Sequence, residues 1–180
     1  MEWGRIAKRI RVPLGFLFAG FFLVLARPCW WSLAAGSALA LMGVWIRAVA
    51  SGHVKKNEEL ATTGPYAYTR NPLYFGSIVI AAGFALAAMR WEIALGLILL
   101  FAAIYVPVIR GEERFLSERF AGYAEYCSRV PRLLPRLRAG EGGRSGFSRE
   151  LYLKHREYNA LLGTLVLIAA LAGKMLWMER

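Results

Sequence analysis

The chain contains no aspartate; all 12 of its acidic residues are glutamate. Cysteine and histidine are nearly as scarce, with two of each. Cys29 and Cys127 fall in different loops with no metal-ligand spacing, and His53 and His155 lie far apart. Neither a disulfide framework nor a zinc site has support in such a pattern. Polar surface is also in short supply. Hydrophobic residues make up 57% of the chain and the mean hydropathy is +0.40, too apolar for a soluble domain of 180 residues.

What the chain has in excess is apolar runs and positive charge. The apolar residues come in blocks, several of them close to the roughly 20 helical residues that cross a bilayer's hydrocarbon layer. The expected spans are 12–26, 33–50, 73–89, 93–109 and 160–177, within one membrane-embedded domain over 1–180. Pro13 opens the first span, and Arg27-Pro28 ends it before the interfacial pair Trp30-Trp31. No small-x-small cleavage site follows the basic N-terminal arm, so the first block is expected to be a retained span. Arg90-Trp91-Glu92 makes a tight reversal, Pro107 kinks the fourth span, and Lys174 is expected to snorkel from the fifth. The fold class is all-α, a polytopic transmembrane bundle of about five spans. A cytoplasmic amphipathic helix (Glu112–Tyr126) and the loops would form a site beside it. Ala139–Gly146 reads as a flexible linker.

The formal charge of +11 comes from 23 Lys and Arg. With the N-terminus inside, four basic residues lie in the N-terminal arm, four between 47 and 70, and eleven between 110 and 156. Only Arg27, Arg90, Lys174 and Arg180 remain outside, nineteen against four. The positive-inside rule then puts the N-terminus and both long polar stretches, 51–71 and 110–158, on the cytoplasmic face. The basic excess fits anionic lipid headgroups, with no nucleic acid and no metal as partner.

Three groups of residues on those stretches could carry chemistry. Gly64-Pro65 is a turn, and Asn71-Pro72 gives the third span an N-cap followed by proline at its first helical position. The backbone N–H groups of that helix start suit an anion, and Tyr66, Tyr68, Tyr74 and Phe75 offer flat faces. Glu112-Glu113 follows the fourth span between Arg110 and Arg114. Tyr123 and Tyr126 precede Val130-Pro131 and the arginine-rich strap that continues to Pro135. Each group alone has an ordinary structural account, as a capped helix, a solvated helix surface or a lipid anchor.

Together, in this order and spacing, they resemble the isoprenylcysteine carboxyl methyltransferase family and the related phospholipid N-methyltransferases. The resemblance rests on Gly64, Tyr66, Arg70, Pro72, Tyr74, Gly76, Glu112, Glu113, Phe120, Tyr123, Tyr126, Val130 and Pro131, and covers about residues 58–135. Asn71 stands where the family most often has histidine. Val108 stands where the family has a substrate-linked arginine, with Arg110 two residues on. The resemblance implies an S-adenosylmethionine-dependent methyltransferase acting on a hydrophobic, lipid-like or prenylated acceptor from the bilayer. It implies a cofactor site formed by Tyr66, Asn71, Pro72, Leu73, Tyr74 and Glu112 with the backbone of Glu59, Leu60 and Ala61, and with Arg110 or Glu113 orienting the acceptor. Three alternatives stay open at this point: a phospholipid N-methyltransferase, a nicotinamide-dependent membrane reductase, and a non-catalytic lipid-binding protein.

Overall fold

The computed structural model describes residues 2–55, 58–138 and 146–179, with only the backbone of 2–12 and Phe16. Among the described residues the chain is all-helical. The helices are α1 (Glu2–Leu25), α2 (Trp30–Ser51), α3 (Pro72–Ala88), α4 (Trp91–Leu100), α5 (Val106–Arg119), α6 (Tyr123–Arg129), α7 (Arg149–Lys154) and α8 (Tyr158–Met178). Each expected span corresponds to an apolar helix. Three are long and apolar enough to cross a membrane: Trp30–Ser51, the continuous Trp91–Arg119, and Tyr158–Met178. Pro13–Leu25 and Pro72–Ala88 are shorter apolar helices. The linker expected at Ala139–Gly146 lies, apart from Gly146, outside the described residues.

The antiparallel pair α2–α3 is the centre of the bundle, and small residues make it close. A Cβ on Gly36 would lie 2.5 Å from the Gly83 carbonyl oxygen, and one on Gly43 would lie 2.7 Å from that of Gly76. In lipid no hydrophobic force drives helices together, so such close backbone approach is a main source of their association. Ser32, fully buried, donates across this interface to the Ala87 carbonyl at 3.2 Å. Met89 (φ 53°) ends α3 in the left-handed region, and the Arg90–Glu92 ion pair at 2.6 Å closes the tight reversal into α4.

Two expectations are corrected. Pro13 lies inside α1, which begins at Glu2 rather than Val12; the helix-forming arm upstream extends the helix past it. Glu112–Tyr126 is not a separate amphipathic helix. Nothing between the fourth span and Glu112 breaks a helix, so α4 and α5 run as one piece through a π-turn at Phe101–Tyr105. That turn directly precedes Pro107, whose ring and missing N–H disfavour regular α geometry there. The helix stops at Arg119, with Phe120 extended (φ −123°, ψ 112°), before the short α6. Lys174 reaches the end of α1. Its ammonium donates to the Leu23 and Val24 carbonyls at 2.7 and 2.8 Å, capping the end of α1, where a cation is favoured.

The two long polar stretches meet at one end of the bundle, as the loop count required. The Arg70 N–H donates to the Pro131 carbonyl at 2.9 Å, and the Arg136 N–H to the Tyr68 carbonyl at 3.1 Å. Thr69 Oγ1 donates to the Leu133 carbonyl at 3.0 Å, and the Tyr126 hydroxyl to the Tyr66 carbonyl at 2.7 Å. The strap after α6 is thereby laid across the turn that precedes α3. His155 Nδ1 donates to the Ser51 carbonyl at 3.1 Å, and the Ser148 N–H to the Gly52 carbonyl at 2.9 Å. These bonds dock the approach to α8 on the end of α2.

Candidate functional site

A cavity of about 1050 Å³ opens where these polar segments meet the bundle. That is the upper end of the roughly 300–1,000 Å³ range of small-molecule sites. Its polar end is lined by Tyr66, Arg70, Asn71, Glu112, Arg47 and Glu157. Its inner end is apolar, with Phe18, Phe22, Ile80, Phe84, Leu100 and Leu167 contributed by four of the apolar helices. One wall is therefore set up for charge and the other for hydrocarbon.

The local sequence explains the polar wall. Gly64 takes a positive φ of 57°, and a Cβ there would lie 2.4 Å from the His53 ring, so the turn requires glycine. The 3-10 turn Gly64–Ala67 then buries Tyr66 beside the start of α3. Burial, with Tyr126 and Glu112 nearby, pushes the Tyr66 phenol well above its usual range, and burial does the same for Tyr126 and Tyr123. All three remain neutral donors at neutral pH. Pro72 opens α3, whose first turn leaves N–H groups without intrahelical acceptors. Tyr74 meets Tyr105 edge-on at 5.8 Å, so the π-turn brings a second aromatic ring to the cavity wall.

Asn71 occupies the N-cap position, but its side chain does not cap the helix. The expected capping bond is corrected by its actual partners: Nδ2 donates to the Arg132 carbonyl at 2.9 Å and to Glu113 Oε1 at 3.4 Å. These bonds hold the side-chain amide through its Nδ2 donors, between the strap carbonyl and the Glu113 carboxylate.

The two adjacent glutamates have opposite surroundings. Glu113 is buried and lies between Arg70 (3.5 Å) and Arg132 (2.8 Å). Arg70 also donates to the Cys127 sulfur. Burial pulls the Arg70 guanidinium's pKa down, but Glu113 and Cys127 outweigh it and hold the charge more firmly than usual. Glu112 is half-buried, lines the cavity, and forms no hydrogen bond or ion pair among the described residues. A carboxylate left unpaired on a cavity wall is a receptor for a cation.

Of the residues expected from sequence, the structure brings Tyr66, Asn71, Pro72, Leu73, Tyr74 and Glu112 together around this cavity. It does not bring Glu59, Leu60, Ala61, Arg110 or Glu113 to the lining. Glu59 is exposed and pairs with Lys55 at 3.2 Å. Leu60 packs against Tyr123, Tyr126 and Val130 beside a separate cavity of about 240 Å³. Arg110 is exposed, next to the lining residues Gly111 and Glu112. Sequence reasoning missed Arg47, Ser77, Glu157, Asn159 and Thr164, all of which line the cavity. A signal for Arg47 was present, because a charged residue within an apolar span is costly and marks a pathway or site.

Residues 30–122 match the phospholipid methyltransferase family. The chain is 39% identical over 103 residues to the cobalt-zinc-cadmium resistance protein CzcN of Cupriavidus metallidurans, a match covering 57% of this chain and 47% of that protein. It is 41% identical over 105 residues to the nickel-cobalt-cadmium resistance protein NccN of Alcaligenes xylosoxydans xylosoxydans, with the same two coverages. The chain thus spans about half the length of the curated relatives it matches. No solved structure matches it. Among the described residues no group of three or more His, Cys, Asp or Glu could hold a metal ion.

Proposed function

The chain belongs to the phospholipid methyltransferase family, and from that premise we propose that it is an S-adenosylmethionine-dependent integral membrane methyltransferase with a lipid-like acceptor. The observation that carries this is Glu112, an unpaired carboxylate on the wall of a cavity that is polar at one end and apolar at the other. When bound, S-adenosylmethionine supplies an electrophilic methyl group on a sulfonium.

The residues present fit that cofactor in type. Glu112 takes its ammonium, and the first-turn N–H groups of α3 take its carboxylate. Tyr66 and Tyr74 offer aromatic faces to the sulfonium or the adenine. The apolar end accommodates an acyl or prenyl chain and keeps water from the reacting atoms. Methyl transfer is a displacement that gains most from positioning two reactants in a dry site, and asks little of acid–base catalysis. Asn71 does not titrate, which suits such a reaction. Arg110, exposed and next in sequence to the lining residues Gly111 and Glu112, is the group we assign to orienting the acceptor; Glu113 we assign to holding Arg70 and Arg132. The basic asymmetry supports a cytoplasmic polar end, where the cofactor is found. The relatives' names attach metal resistance to those proteins.

Glu112→Gln keeps shape and removes charge. A hydrogen bond to a charged group is worth about 1.5–3 kcal/mol, so affinity for S-adenosylhomocysteine should fall roughly 10- to 150-fold. Titration calorimetry on the folded variant reads this directly. An unchanged dissociation constant would remove Glu112 from the cofactor site.

A further inference from the structure

Arg47 and Glu157 form a closely hydrogen-bonded ion pair on the cavity wall. Arg47 Nε and Nη2 donate to both Glu157 oxygens, at 3.0, 2.8 and 2.8 Å. Its remaining nitrogen, Nη1, donates to the Leu73 carbonyl at 3.1 Å and to Ser77 Oγ at 2.6 Å. Ser77 Oγ in turn donates to the Leu73 carbonyl at 3.0 Å. One guanidinium thereby joins α2, the first turn of α3 and the head of α8. The side chains are 22% and 12% exposed, so the pair sits largely out of water.

The neighbouring sequence makes room for it. A Cβ on Gly76 would lie 2.6 Å from Arg47 Cγ, so glycine at this position lets the arginine stem pass. Because every nitrogen of Arg47 already has a protein acceptor, the pair is not waiting for a ligand. Its consequence is geometric: it fixes the Leu73 carbonyl, within the turn whose residues Asn71 to Tyr74 line the polar end of the cavity. Glu157 lies outside the matched segment 30–122, so a helix beyond that segment sets the geometry of residues within it.

We infer that Arg47 and Glu157 are positioning residues for the first turn of α3, an assignment that rests on the cofactor site proposed above. The planar fork of arginine is required for this, because it must bind a carboxylate on one edge and the α3 carbonyl on the other. Lysine keeps the charge opposite Glu157 and loses the fork. A merely structural tether between α2 and α8 would need only opposite charges.

The test measures thermal stability and S-adenosylhomocysteine affinity on the same samples of wild type, Glu157→Ala, Arg47→Lys and the swap Arg47→Glu/Glu157→Arg. Glu157→Ala and Arg47→Lys should each weaken binding by about tenfold, within the span usual for coupling between linked sites. The swap should recover thermal stability but leave affinity low, because glutamate at 47 has no donor for Leu73. If the swap does not fold, Arg47→Lys decides: lost affinity at near wild-type stability supports positioning. Affinity restored by the swap, or unchanged in Arg47→Lys, reduces the pair to a tether and overturns the inference. Wild-type protein that fails to bind S-adenosylhomocysteine would instead overturn the cofactor site, and the inference with it.

Discussion

Glu113→Ala is expected to cost about 3–5 kcal/mol of stability, because it leaves two cations around a buried void. Arg70 would keep only Cys127 and its other local contacts, with its side chain 12% exposed. Arg132 would lose its anchor at 2.8 Å, and Asn71 one of its two acceptors. The strap from Val130 onward should loosen first. Limited trypsin digestion should then cut after Arg132, Arg136 or Arg138 well before it cuts the wild type, along with a lowered unfolding temperature. Glu113→Gln separates the two roles this residue could have. A clamp loses stability in both variants, while a catalytic group would lose turnover in Glu113→Gln with stability and digestion pattern intact.

Gly36→Leu should be nearly as damaging, by a different route. The new side chain would begin 2.5 Å from the Gly83 carbonyl and 2.7 Å from Ala87 Cβ. Both obstacles belong to the backbone or its first carbon, so no side chain can swing away. α2 and α3 would have to separate, at about 3 kcal/mol, the upper end of ordinary overpacking. For a chain of this size that corresponds to roughly 6–12 °C in unfolding temperature. Gly173→Leu is the control. Nothing lies within 4 Å of a Cβ there, and the change should stay within about 0.5 kcal/mol. Equal losses in the two variants would mean that close α2–α3 approach is not what holds the bundle.

The helices were legible because a bilayer demands a simple pattern: long apolar runs ended by Arg27-Pro28, Arg90 and the polar loops. Part of the polar wall was legible for the same kind of reason, since Gly64 sets a turn and Pro72 opens α3 through local backbone chemistry. What stayed hidden depends on distant packing. Nothing near Glu112 in sequence distinguishes it from Glu113; the difference arises because Arg70 and Arg132 arrive from two other segments. Likewise Arg47 and Glu157 are 110 positions apart, and only the docking of the α8 approach on the end of α2 makes them neighbours. The resemblance alone placed the backbone of Glu59, Leu60 and Ala61 at the cofactor, and the Leu60 side chain packs against the Tyr123–Tyr126 cluster.

On the proposed function, S-adenosylmethionine binds in the cavity bordered by Glu112 and the start of α3. Calorimetric titration of the purified, detergent-solubilised wild type with S-adenosylhomocysteine tests it most directly. Saturable binding of one molecule per chain, displaced by S-adenosylmethionine and not by a nicotinamide dinucleotide, is the predicted result. Folded protein that takes up no S-adenosylhomocysteine, or that binds the dinucleotide in its place, would contradict it.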